Sequence, residues 1–153
     1  MSEIIHGTAI ARGSDGVLLL GPSASGKSDL ALKCLCMTIA YPPGLPFQLV
    51  SDDQTMLEYA NGAIEMKSPP TIAGRLEVRG LGIVTLPFSQ QAHLRLIVRL
   101  TDQAVELERM PHGEDLIEYF HNQLVKRIWL NPFEASAPAK VALALYAATS
   151  CET

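Results

Sequence analysis

Apolar residues fall along this chain in short runs and brief alternations rather than at one sustained helical spacing. Residues 4–11 alternate loosely and predict a strand. Gly13-Ser14-Asp15-Gly16 is a turn cluster. Val17-Leu18-Leu19-Leu20 is a continuous apolar run, the mark of a strand buried on both faces. Residues 21–26 are small and loop-like. From Lys27 to about Ala40 good helix formers set Leu30, Ala31, Leu35 and Ile39 near one face, and Pro42-Pro43-Gly44 stops the helix.

The second half is richer in strands. Residues 47–51 predict a strand that runs into Asp52-Asp53. Residues 56–66 predict a hairpin around Asn61-Gly62, a dipeptide suited to a turn with two positive φ angles. Pro69-Pro70 breaks the pattern. Residues 75–79 then alternate sharply, with Arg75, Glu77 and Arg79 on one face and Leu76 and Val78 on the other. Residues 94–100 predict another strand, and 105–109 are a further candidate. Residues 116–130 suit either strands or a helix, with stronger β character from 125 to 130. Pro132 ends that stretch, and residues 137–148 predict a closing helix with Ser136 and Pro138 at its start. Many short strands and two helices predict an α/β domain, a mixed β-sheet with flanking helices. No repeat or linker divides the chain, so residues 1–153 are expected to form a single domain.

Composition narrows the class. With 153 residues, 48% hydrophobic and 18% charged, one core is affordable and general disorder is excluded. Lys+Arg 12 against Asp+Glu 16 leaves a net charge of −4, which argues against binding nucleic acid by bulk charge. No apolar run approaches the ~18–20 residues that span a bilayer. Met1-Ser2-Glu3 lacks the basic start of a signal peptide. Three cysteines do not make a disulfide framework. Cys34 and Cys36 would point about 200° apart on a helix, so they do not share a metal and read as fillers. Cys151 lies near the chain end. His93, His112 and His121 show no ligand spacing. The expectation is a reduced, cytoplasmic protein with no nucleic-acid or membrane partner.

Residues Gly21, Pro22, Ser23, Ala24, Ser25, Gly26, Lys27 and Ser28 fit G-x-x-x-x-G-K-[ST], with the required buried strand before and helix after. The glycines let backbone N–H groups turn inward around phosphate oxygens. The helix N-terminus adds partial positive charge. Lys27 can bridge the β- and γ-phosphates, and the Ser28 hydroxyl can take a position on Mg²⁺. A nucleoside triphosphate site follows. Two further features gain meaning beside it. If residues 4–11 and 17–20 form a hairpin centred near Ser14-Asp15, His6 falls opposite Ser23, next to the loop; its plain alternative is an edge-strand histidine. In Asp52-Asp53 neighbours point opposite ways at a strand tip, so one carboxylate can face the metal and the other can act as general base. The Arg75/Glu77/Arg79 stripe reads either as a wet strand face or as a metal-binding Glu77 between phosphate-binding arginines.

Together these pieces resemble the C-terminal catalytic domain of the HPr kinase/phosphorylases. The motifs stand in one order: His6-Gly7, residues 21–28, Leu49-Val50-Ser51-Asp52-Asp53, and the segment from Gly74-Arg75-Leu76-Glu77 to Gly82-Ile83, which is the most specific. The resemblance covers residues 4 to about 110. It implies a P-loop fold of the phosphoenolpyruvate carboxykinase-like type. It implies an ATP- and Mg²⁺-dependent kinase that phosphorylates a serine of the phosphocarrier HPr and reverses the step by phosphorolysis. By position, His6, Lys27, Asp53 and Arg109 match active-site residues, Asp53 being base forward and acid in reverse. Ser28 and Glu77 match the magnesium positions. Family hexamers imply a homo-oligomer. Two departures are visible: the chain begins almost at His6, so the N-terminal domain of longer relatives is expected to be absent, and Ser136-Ala-Pro138-Ala-Lys140 stands where relatives carry a basic Pro-Gly-Arg stretch. Rival readings of the same loop are a small-molecule or carboxykinase-like kinase and a non-catalytic ATP sensor.

Overall fold

The computed structural model describes residues 2–37, 45–103 and 107–150. Residues 38–44 lie outside them, as do 104–106, which overlap the candidate strand 105–109, and Cys151; the first helix ends at Cys36, short of the expected Ala40, with Met37 extended. Leu107 to Met110 form no strand.

The strands are β1 (Ser2–His6), β2 (Thr8–Arg12), β3 (Asp15–Leu20), β4 (Gln48–Ser51), β5 (Gln54–Ala60), β6 (Ala63–Lys67), β7 (Arg75–Val78), β8 (Gly82–Thr85), β9 (Ala92–Leu100), β10 (Ile117–Phe120) and β11 (Gln123–Leu130). Two α-helices accompany them among the described residues, α1 (Lys27–Cys36) and α2 (Ala137–Ser150). One mixed sheet runs β1-β5-β6-β9-β3-β2-β4. β9 is long enough to take two neighbours on one edge. Its first residues meet β6 antiparallel, Met66 opposite Ala92, and its last five meet β11 parallel, Leu130 opposite Leu100. β10 pairs antiparallel with β11, and β7 and β8 form a separate two-stranded sheet. The expected mixed sheet with flanking helices is therefore found.

β3 is the axis, as its apolar run predicts. Val17 and Leu19 face α1 and α2, packing with Leu30, Ala31, Val141 and Leu145. Leu18 and Leu20 face the other way, where Leu57 of β5 and Ile64 and Met66 of β6 cover them. Each fully buried leucine contributes about 1.5–3 kcal/mol, so both layers draw on the same strand. A bulge between Gly16 and Val17 skips one residue of β9 and lets Leu94 and Leu96 serve opposite layers. A third cluster seats the β7–β8 hairpin: Leu76 and Val78 pack with Leu49, Leu32 and Leu35.

The segment 4–11 is not one strand. It breaks at Gly7, whose added Cβ would come within 2.9 Å of Leu20 Cδ2. β2 pairs with β3 around Gly13-Ser14, with Thr8 opposite Leu19, whereas β1 leaves to pair with β5, His6 opposite Gln54. The expected pairing of His6 with Ser23 is thus corrected: the strand switches partners before reaching it. The ambiguous stretch 116–130 resolves into the hairpin β10–β11, turned by His121-Asn122 at φ 50 and 65.

Candidate active site

The chain leaves β3 at Gly21 and rises into a tight loop. The Ser25 N–H donates to the Pro22 carbonyl at 3.1 Å, and Ala24 takes a left-handed conformation at φ 63. Gly26 caps α1 at φ 98, a conformation that a side chain would strain, and its added Cβ would stand 3.1 Å from Pro132 Cγ. No side chain caps α1, so its first N–H groups point into the loop, the arrangement that receives anions. Gly21 makes room for Ser25, whose Oγ lies buried without a hydrogen-bond partner.

Lys27 is buried, and its ammonium donates to the carbonyls of Gly21 at 2.8 Å and Pro22 at 2.9 Å. Burial holds its pKa below the ordinary 10.5, while Asp53 and Asp52 pull the other way. The cation is therefore held against the loop by backbone oxygens that a phosphate can replace.

The two aspartates at the tip of β4 divide as strand parity predicts. Asp52 turns inward and is only 6% exposed. Its Oδ1 accepts from Ser28 Oγ at 2.6 Å and Thr8 Oγ1 at 3.0 Å, and its Oδ2 accepts from the Glu77 N–H at 3.0 Å. One carboxylate thus ties α1, β2 and β7 together. Asp53 turns outward. Its φ of 68 reverses the chain, its carbonyl accepts from the Gly7 N–H at 2.9 Å, and its N–H donates to Thr8 Oγ1 at 3.2 Å. Its side chain is 63% exposed, and one carboxylate oxygen lies 3.4 Å from His6 Nδ1.

His6, Ser23, Ala24, Gly26, Lys27, Ser28, Asp53 and Glu77 meet around one cleft of about 600 Å³, with Arg79 and Phe133 completing its wall. Gly21, Pro22 and Ser25, with Ser23 and Ala24, line a second cavity of about 520 Å³ on the opposite flank of the loop. Arg109 is exposed and lines neither cavity. Spacing alone does not say which aspartate faces which way, and it marks neither Thr8 nor Phe133. Asp52 was signalled by its place at a strand tip beside the loop. Nothing local marks Thr8, which matters only because β2 runs beside β4.

Buried strand, phosphate loop and helix, with paired acids at a nearby strand tip on a mixed sheet, define a P-loop domain of the kinase type. A solved structure described as the Hpr(Ser) kinase/phosphatase from Coxiella burnetii superposes with a TM-score of 0.74 over 95% of both chains at 21% identity, which shows the fold. By sequence the chain is homologous to the HPr kinase/phosphorylases. It is 34% identical over 118 residues to the protein of that name from Stenotrophomonas maltophilia, 35% over 123 residues to that from Chromobacterium violaceum and 30% over 111 residues to that from Clostridium acetobutylicum, each match covering 72% of the chain. The chain spans about a third of the length of these curated relatives. No protein-family model matches it. Among the described residues no helix is long and apolar enough to cross a membrane.

Proposed function

We propose that the chain is a cytoplasmic, ATP- and Mg²⁺-dependent protein serine kinase, a single catalytic domain over residues 1–153 acting on an HPr-like phosphocarrier. The observation that carries this is the convergence of Lys27, Asp53, His6 and Glu77 on one cleft beside the phosphate loop. The names of the homologues support the same substrate.

In this reading the backbone N–H groups of residues 21–28 and the start of α1 bind the phosphates of ATP. Lys27 gives up its carbonyl partners for phosphate oxygens and balances charge on the γ-phosphoryl as it departs. Asp53 takes the proton of the serine hydroxyl while the serine oxygen bonds to the γ-phosphorus and the bond to the ADP oxygen breaks. His6 positions that carboxylate from 3.4 Å. Positioning and electrostatics carry the step.

The residues fit magnesium. The Ser28 hydroxyl with the Asp52 and Glu77 carboxylates is a hard-oxygen donor set. Among the described residues no group of three or more acidic, histidine or cysteine side chains stands ready to hold an ion alone. That suits an ion that completes its shell with phosphate and water. When bound, Mg²⁺ neutralises charge on the phosphate oxygens. Arg109, exposed outside both cavities, is given no step.

The forward direction is the function proposed. Where the resemblance sets a basic stretch for phosphorolysis, Lys140 is held by Glu134 at 2.6 Å. A homo-oligomer, as in the family, belongs to this reading, and nucleic acid and membrane do not. The test is phosphopeptide mapping of HPr after mixing with the chain, Mg²⁺ and labelled ATP. Label on one HPr serine is expected. Label on a metabolite but never on protein would favour a small-molecule kinase, and tight ATP binding without transfer would favour a sensor.

A further inference from the structure

The phosphate loop has two flanks, and the acids occupy one of them. His6, Asp53 and Glu77 stand on the side of β2 and β4. On the other side lie β9 and β11, both parallel to β3, with their carboxyl ends at Leu100 and Leu130 beside the loop. Ligands of α/β sheets lie across such carboxyl ends. A triphosphate gripped by the loop with its terminal phosphoryl toward Asp53 must send its other end over β9 and β11.

A cavity of about 520 Å³ waits there, within the range of small-molecule sites. Its chemistry is not that of another phosphate pocket. Arg99, the one cation on its wall, is held in a fork by Glu118 at 2.9 and 2.6 Å. Asp102 adds negative charge. The remaining wall offers two aromatic rings, Trp129 and Phe133, and the hydrogen-bonding side chains of Thr101 and Gln103. Phe133 is 60% exposed and lines both cavities, so its ring stands at the divide, and Gly26 leaves space against it. Aromatic faces with a few hydrogen-bonding groups suit a flat heterocycle and a sugar.

We propose that this second cavity is the nucleoside subsite, taking the base and ribose of the triphosphate whose phosphates the loop holds. The proposal rests on the kinase reading above and adds the residues that recognise the nucleoside.

Trp129 is the single tryptophan of the chain, so its fluorescence reports on this cavity alone. The experiment titrates the intact protein with ATP and with inorganic tripolyphosphate, both with Mg²⁺, by Trp129 fluorescence and by calorimetry. Tripolyphosphate has the phosphates and lacks the nucleoside. ATP should bind more tightly and alone should quench Trp129. Phe133→Ala should weaken ATP about tenfold more than it weakens tripolyphosphate, the loss of one stacked base. Gln103→Ala should weaken ATP in the same selective way. Equal quenching by both ligands, or equal weakening of both by Phe133→Ala, would overturn the subsite while leaving the phosphate loop intact. Failure of the unaltered protein to bind either ligand would overturn the kinase reading itself.

Discussion

Lys27 is the most burdened residue of the site. It is a buried cation whose pKa lies below 10.5 because burial outweighs the pull of Asp53 and Asp52. Between that lowered value and 10.5 the unfolded chain binds more protons than the folded one, so the lysine's contribution to stability rises with pH across this window. A bound anion favours the charged form, so tripolyphosphate affinity should fall as pH rises through the same window. Calorimetric titration against pH should show that slope, and Lys27→Met should remove it. Lys27→Ala and Asp53→Ala should each lower transfer to HPr by ~10²–10³ with cooperative unfolding preserved, as removal of one placed electrostatic contact does. Wild-type rates in either variant would remove these roles. At this scale the sequence was informative where parity or a motif applied. The loop, Ser28 and the opposed aspartates could be read directly. His6 arrived by another route, carried to Asp53 by β1 pairing with β5. Thr8 could not be read, because its partner Asp52 lies 44 residues away and no spacing rule links them.

Among the elements, helix α1 shows how about half a turn of phase settles chemistry. Cys34 faces the core, and burial pushes its thiol up to about 12. Cys36, two residues on, is exposed. Iodoacetamide at neutral pH should label Cys36 rapidly and leave Cys34 intact in the folded protein, as mass spectrometry of the modified peptides would show. The hairpins differ in legibility for a similar reason. Asn61-Gly62 announces its turn, and both residues do take positive φ, 54 and 74. Gly62→Ala should destabilise by about 1–2 kcal/mol in chemical denaturation, since an added Cβ meets no neighbour there and only the backbone conformation resists it. His121-Asn122 makes a turn of the same sign without glycine, and so residues 116–130 suit either strands or a helix, with stronger β character only from 125 to 130. The break at Gly7 was hidden as well, because a partner switch is decided by the crowd around Leu18 and Leu20 and not by local propensity.

For the molecule as a whole, the two apolar layers share β3, and neither survives its loss. Leu18→Ala and Leu19→Ala open opposite layers, yet each should cost about 2–5 kcal/mol in urea or heat denaturation. A mixed sheet with few helices was legible from the run lengths. The strand order was not, because β9 joins β3, β6 and β11 from distant parts of the chain. That long strand has a consequence for timing. The segment that will clasp phosphate is synthesised before its bed, the parallel partner about eighty residues downstream, Leu18 beside Ile97. A nascent polypeptide must therefore hold that segment on the β2 hairpin alone until β9 has left the ribosome. Closing so wide a gap is slow, so the phosphate site is expected to mature later than the local hairpin that carries it.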